Sequence, residues 1–346
     1  MLSHFLKAGL LALLLIVSFL VIWEFHWRSK GFPVSYNDDE TLWADKRAMV
    51  YESKEKATVF IGASRIKFDL DIPEWEKLTG EHAIQLACVG SSPRLLLKDL
   101  ADDHSFNGKL VIDVTEGNFF IAPGGRADRT PTQNISYYKK ITPAQETSFV
   151  LNCELESKLV FLQKNTFSLG AFLDRIPLPQ RTGVVAAPVF PKKFSYVNFN
   201  RQTTIYDEFV HDTNMQRKVT NIWSAGFSRR KPLTGDSLQQ VFNEMKLYTN
   251  KIRQRGGQII FVRPPSNGRY LEEEKKGFPR DRYWDRLLSI TGCPGIHFED
   301  YPEIAHFTCP EWSHLKKEDG VIFTRHLVRI IQEKGWTFAN KRTASR

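Results

Sequence analysis

Cysteine is scarce in this chain, four in 346 residues, and Cys88, Cys153, Cys293 and Cys309 show neither a Cys-x-x-Cys spacing nor paired histidines. That pattern argues against a zinc site, whose ligands come from closely spaced Cys and His. A Gly-x-x-x-x-Gly-Lys-Ser/Thr phosphate loop, a Gly-x-Gly-x-x-Gly turn after a strand and a His-Glu-x-x-His helix are also missing. No cofactor and no metal are therefore expected. The net charge is +9, yet no zinc-finger spacing, aromatic RNA-binding signature or basic heptad pattern accompanies it, so nucleic acid is not an expected partner. Internal repeats and low-complexity tracts are absent too.

Charge is missing altogether from Ala8 to Trp23. At about 1.5 Å per residue such a helix covers roughly 24 Å, slightly less than a bilayer core. Lys7, Arg28 and Lys30 can snorkel beyond it, and Trp23 and Trp27 suit the interface. After Ser18 the chain offers Phe, Leu, Val, Ile and Trp where a signal peptidase needs small residues, so residues 1–30 read as a membrane anchor. Lys7 on one side and Arg28 with Lys30 on the other leave the positive-inside count undecided.

What the chain does have is an ordinary globular balance, 42% apolar and 25% charged residues, enough for a core. Its positive excess gathers between Gly226 and Arg286, with fourteen Lys/Arg against seven Asp/Glu. Acidic polysaccharide or anionic lipid would suit it. Asn37 or Asp38 can cap a helix leading into the domain, within residues 31–56. Thr58–Ile61, Ala83–Leu86, Leu110–Val114, Gln258–Val262 and Ile296–Phe298 are short apolar runs of the kind found in buried parallel strands. Helical patterns lie at Pro93–Asp102, Ser237–Arg255, Asp281–Ile290 and Lys316–Lys334. Alternation of this kind implies an α/β layered sheet. About 140 residues after the third strand are too many for one crossover. Their proline- and aromatic-rich centre, with Pro177, Pro179, Pro188 and Pro191, reads as an ordered cap over a cleft.

Two segments carry chemistry. Val59-Phe60-Ile61-Gly62-Ala63-Ser64 runs a buried strand into a serine, and Glu311-Trp312-Ser313-His314 sits just before the last helix. Together they resemble the SGNH/GDSL hydrolase superfamily, with Gly62, Ala63 and Ser64 as its first block and Glu311 with His314 as its last. Gln85–Pro93, containing Gly90, stands for the glycine block, and Val111–Asn118 for the Gly-x-Asn block, although Gly117 adjoins Asn118 here. Glu311 replaces the usual aspartate. The resemblance implies a three-layer flavodoxin-like parallel sheet over 57–335 with a cap insertion at about 120–235; residues 336–346, ending in Lys341, Arg342 and Arg346, read as a basic tail. The resemblance also implies a short cytoplasmic N-terminus and a single-pass protein of the bacterial inner membrane whose body is periplasmic.

A serine hydroxyl needs a base within hydrogen-bond reach and a third group fixing that base's tautomer, so the expected triad is Ser64, His314 and Glu311. Donors to the oxyanion would be the Ser64 and Gly90 N–H groups and Asn118, the last equally readable as a turn residue. Arg263, held between a strand and Pro264-Pro265, can grip a substrate carboxylate or phosphate, or instead tie its loop to Glu272, Glu273 or Glu274. Cys293 and Cys309 can pair in an exported body or remain buried free thiols. Asn134-Ile135-Ser136 fits a glycosylation acceptor. The expected activity is that of a serine esterase or O-acyltransferase on O-acyl (acetyl) esters, its partner an acylated cell-envelope glycan. The alternative is a non-catalytic partner of a membrane-embedded acyltransferase, and a lipid-directed esterase is a third reading.

Overall fold

The computed structural model describes residues 2–173, 176, 188–227 and 231–340. They form two compact units, one of Met1–Asn37, Thr142–Ala186 and Tyr196–Phe199, the other of Asp38–Ile141, Ala187–Ser195 and Asn200–Arg346.

The first unit is organised on helix α1 (Leu2–Ser29). Its stretch His4–Ser29 is long and apolar enough to cross a membrane, and the most apolar 18 residues of it, with mean hydropathy 2.7, are all unburied. The helix runs beyond Trp23 because its first carboxylate, Glu24, has partners. The Glu24 carboxylate accepts from the N–H groups of Val160 (3.0 Å) and Phe161 (3.2 Å) and from Arg28 Nε (2.7 Å). Arg28 in turn donates to the Lys158 carbonyl at 2.8 Å. The Trp27 ring lies 4.5 Å from that of Phe167 and 5.6 Å from that of Phe32. A further helix, Pro143–Glu156, starts with a reciprocal cap between Thr142 and Gln145.

The second unit holds a five-stranded sheet: β1 (Ala57–Ile61), β2 (His82–Gln85), β3 (Lys109–Asp113), β4 (Gln258–Arg263) and β5 (Gly295–His297). Every pairing is parallel and the spatial order is β2-β1-β3-β4-β5. Alternate strand residues feed two cores. Val59, Ile61, Leu110, Ile112, Ile259 and Phe261 join one, with Trp43, Leu97 and Phe242; Phe60, Val111, Ile260, Val262 and Ile296 join the other, with Ile66, Trp75 and Leu327. Burial on both faces explains why the strands read as unbroken apolar runs.

The first core is covered by α2 (Glu40–Ala48) and its neighbours. Helices α3 (Ser64–Asp69) and α4 (Ile72–Thr79) help cover the second core, and α5 (Arg94–Asp102) packs on the first. The chain continues through α6 (Glu116–Phe119), α7 (Arg126–Lys140), α8 (Thr213–Phe227), α9 (Gly235–Gln254), α10 (Gly268–Gly277), α11 (Trp284–Thr291) and α12 (Lys317–Glu333). Strand order reverses between β1 and β3, and in doubly wound sheets ligands bind at the carboxyl ends beside that reversal.

Several expectations need correction. The N-cap of α2 is Asp39, in place of Asn37 or Asp38; its carboxylate accepts from Thr41 and Leu42 N–H, and Trp43 of the helix is buried and donates to the Leu86 carbonyl at 3.0 Å. Of the interval 120–235, residues 142–186 and 196–199 group with α1 and the remainder with the sheet. Pro177 and Pro179 lie outside the described residues, as does 341–346 of the basic tail. Residues 336–340 are docked, with Trp336 and Phe338 buried and Asn340 N–H bonded to the Thr79 carbonyl at 2.9 Å. All four cysteines are free. Cys293 and Cys309 belong to opposite faces of the sheet, which rules out the bridge. Asn134 is buried with its amide on the Cys88 sulfur at 3.5 Å, which leaves no room for a glycan.

Candidate functional site

Ser64 opens α3 directly after β1 and is partly exposed. The sharp passage from strand to helix depends on Gly62. A Cβ there would stand 2.4 Å from the Asp113 Cβ and 2.7 Å from Ile66 Cγ2, so only glycine lets β1 end so close to β3. The Asp113 carboxylate then accepts the Ala63 N–H at 2.9 Å, fixing the residue before the serine. Burial pushes the Asp113 carboxyl up to about 6, against the lowering effect of that N–H and of Arg65.

The other half of the site is the loop before α12. Glu311 is fully buried, and its Oε1 accepts both the His314 N–H and His314 Nδ1, each at 2.8 Å. Bonded so, Nδ1 carries the proton and Nε2 is the basic nitrogen. Nε2 is buried and has no hydrogen-bond partner among the described residues. The second carboxylate oxygen, Oε2, accepts the indole N–H of Trp223 from α8 at 2.5 Å. The imidazole is stacked on Phe68, ring centres 4.1 Å apart, with Phe194 and Trp223 at 6.4 and 6.2 Å.

Between Glu311 and His314 the backbone is strained, since Trp312 has φ +77°. For a bulky residue this is an outlier that costs roughly 1–3 kcal/mol and clusters at functional sites. Its carbonyl accepts the Asn267 N–H at 3.0 Å and its own N–H bonds the Cys309 carbonyl at 3.0 Å. The indole lies so near Gly268 that a Cβ there would come within 2.8 Å.

Glu311 and His314 are therefore brought together, and Ser64 begins the helix, α3, that packs against the His314 ring. Phe68, four residues on and so on the same helix face as Ser64, is the residue stacked on His314. Arg65 Nε is 3.4 Å from Ser313 Oγ, and Asp69 accepts the Leu315 N–H at 2.9 Å. Burial pushes the Asp69 carboxyl well above its usual range, against the Leu315 N–H. Ser64 Oγ and His314 Nε2 are not hydrogen-bonded to each other, because Nε2 has no partner.

Gly90 is exposed with φ +63° and open space where a Cβ would project. Asn118 is partly exposed in α6, and its N–H bonds the Thr115 carbonyl at 2.9 Å. Arg263 is committed internally, which corrects the reading of a substrate clamp. It is 1% exposed and donates to Glu116 (3.0 Å), the Pro264 carbonyl (2.9 Å), Ser266 Oγ (2.8 Å) and Glu274 (2.7 Å). Arg65 donates to both oxygens of Glu274, at 2.8 and 3.0 Å. Two buried arginines thus share one carboxylate and brace α3, the end of β4 and α10; removing one partner of such a network costs about 3–5 kcal/mol. Much of the basic segment is used likewise, Arg255 on the Leu100, Ala101 and Phe106 carbonyls and Arg280 on Asp300.

Sequence reading missed Trp223. It stands 88 positions before Glu311, and no spacing rule links an indole to a distant carboxylate. Among the described residues no group of three or more His, Cys, Asp or Glu is arranged to hold a metal ion. No family model matches this chain, and no curated protein matches it.

Proposed function

We propose that the protein is a membrane-anchored serine esterase or O-acyltransferase of SGNH type, acting on O-acyl esters of a cell-envelope glycan on the periplasmic side of a bacterial inner membrane. The observation that carries this reading is the His314 imidazole, fixed by Glu311 at Nδ1 and left with an unpartnered Nε2 beside the helix that Ser64 begins. Geometry of that kind has a use in nucleophilic catalysis and little use in a binding surface.

In the proposed reaction Ser64 Oγ attacks the acyl carbonyl while His314 Nε2 takes its proton. The C=O electron pair moves to oxygen, facing the N–H groups of Ser64 and Gly90 and the Asn118 side chain. As the first residue of α3, Ser64 has no carbonyl of its own helix for its N–H. Collapse expels the alkoxide, which receives the proton from His314, and leaves acyl-Ser64. Water or a sugar hydroxyl then attacks with the same proton relay, giving hydrolysis or transfer. Glu311 holds the tautomer and stabilises the imidazolium.

A second reading, a binding partner of a membrane-embedded acyltransferase, draws on one observation: His314 is 2% exposed and not bonded to Ser64. Fluorophosphonate labelling of the full chain separates the two. Labelling of the parent protein and none of Ser64→Ala, together with release of acetate from aryl acetates, supports the enzyme. An unlabelled parent protein whose Ser64→Ala variant keeps its biological effect supports the binding module.

A further inference from the structure

The unit built on α1 carries an apolar surface of its own. Helix Pro143–Glu156 buries none of its residues, and Val150, Leu151 and Leu155 on it are each more than half exposed. Leu151 and Leu155, four apart, share one face. Leu169 (75%) and Leu173 (55%), at the ends of the short helix Leu169–Leu173, are also exposed. Scattered apolar residues on a surface need no account, but five within 24 residues of one small unit do.

Their position relative to α1 says what covers them. Glu24 directly follows Trp23, the last residue of the uncharged run, and it is the residue whose carboxylate holds Val160 and Phe161. Trp27, against which Phe167 packs, is only about 6 Å beyond Trp23 along the helix axis. The polar layer on each side of a bilayer's hydrocarbon is about that thick. With α1 across a membrane, residues 158–167 are therefore fastened inside the headgroup layer, and the flanking helices end at Glu156 and begin at Leu169, within two residues of it.

We propose that residues 143–173 form an interfacial element that lies on the same bilayer α1 crosses, with Val150, Leu151, Leu155, Leu169 and Leu173 in the boundary between headgroups and acyl chains. The occupant of this face is lipid. The inference rests on α1 as a membrane span and not on the esterase reading, which it neither needs nor strengthens.

The test uses the full-length protein in phospholipid nanodiscs. Cys153, the half-buried thiol, is changed to Ser, the three buried cysteines are kept, and an NBD fluorophore is placed at Leu151→Cys, Leu155→Cys or Leu173→Cys. Leu14→Cys reports on the span, and the exposed Leu247→Cys of the sheet-bearing unit reports on water. The expected result is iodide quenching at 151, 155 and 173 about threefold or more below that at 247, with quenching by shallow doxyl lipids, as for a face seated 5–10 Å deep. Quenching at all three equal to that at 247, with position 14 shielded, overturns the proposal and leaves the face to a protein partner. Water-like quenching at position 14 as well removes the span itself, and the proposal falls with it. Proteins labelled at two positions of the face, 151 and 173, guard against one substitution disturbing its helix.

Discussion

Replacing Glu311 by Gln keeps the size of a fully buried side chain and removes its charge. Three donors meet that carboxylate, two at Oε1 and the Trp223 indole at Oε2. An amide has one acceptor and one donor end, so either orientation sets N–H against N–H. With the oxygen toward His314, the NH₂ confronts the indole. Reversed, it confronts the His314 N–H and forces Nδ1 to accept, which moves the ring proton to Nε2 and removes the base. A buried polar group left without its partner costs about 1–3 kcal/mol, so Glu311→Gln should lower the unfolding free energy by about 2 kcal/mol. On the proposed mechanism kcat/KM toward an aryl acetate should fall on the order of 10³- to 10⁴-fold, as expected when a triad keeps its shape and loses its tautomer. Adding Trp223→Phe relieves one confrontation, so the double variant should recover stability in urea unfolding without recovering activity. A folded Glu311→Gln protein within a few fold of the parent's kcat/KM would refute the catalytic role, and a double variant no more stable than the single would refute the assignment of the indole bond.

Gly62→Ala should cost more than 3 kcal/mol or prevent folding, because the new methyl meets backbone-fixed Asp113 at 2.4 Å; a thermal midpoint within a few degrees of the parent would contradict this. Asp113, lifted by burial to about 6 from an unfolded value near 3.9, holds its proton more tightly when folded. Its contribution is present below pH ~4 and lost as pH rises through ~6, about 3 kcal/mol in all. Asp113→Asn should flatten that limb of the stability profile in urea titrations between pH 4 and 8, and an unchanged slope would exclude the assignment. Ellman's reagent without reductant should find one fast thiol, Cys153, in the native protein and four after unfolding, whereas two after unfolding would mean a disulfide.

The sheet was legible because each strand is covered on both faces and so reads as an uninterrupted apolar run, as Val59–Ile61 and Leu110–Ile112 do. Short α3 and α4 escaped notice: six and eight residues hold too few turns for a periodic stripe, and α4 is marked by its ends alone, the Asp71 cap with Pro73 in the first turn and the closing Gly80 at φ +71°. Glu311 and His314 were legible because their contact is local, three residues apart. Trp223 and the Arg65–Glu274–Arg263 network were not, since they depend on which loops the fold brings together. The partner of Glu24 was hidden for the same reason, 136 residues away at Val160. Arg263 carried a signal that pointed both ways, and its burial among carboxylates decided between them.

The left-handed turn at Trp312 has a consequence for how the chain can vary. Its indole fills the space that a side chain on residue 268 would need, and the Asn267 N–H holds its carbonyl. The loop after β4 therefore acts as a mould for the loop bearing His314, though 44 positions separate glycine and tryptophan. A larger residue at 268 is compatible with this shape only if 312 shrinks, and a smaller residue at 312 removes what keeps its own backbone strained. Among descendants of this sequence that keep the imidazole in place, the two positions should drift as a couple, and a chimera that takes one loop from a diverged copy should misplace the histidine while every residue around the serine stays the same.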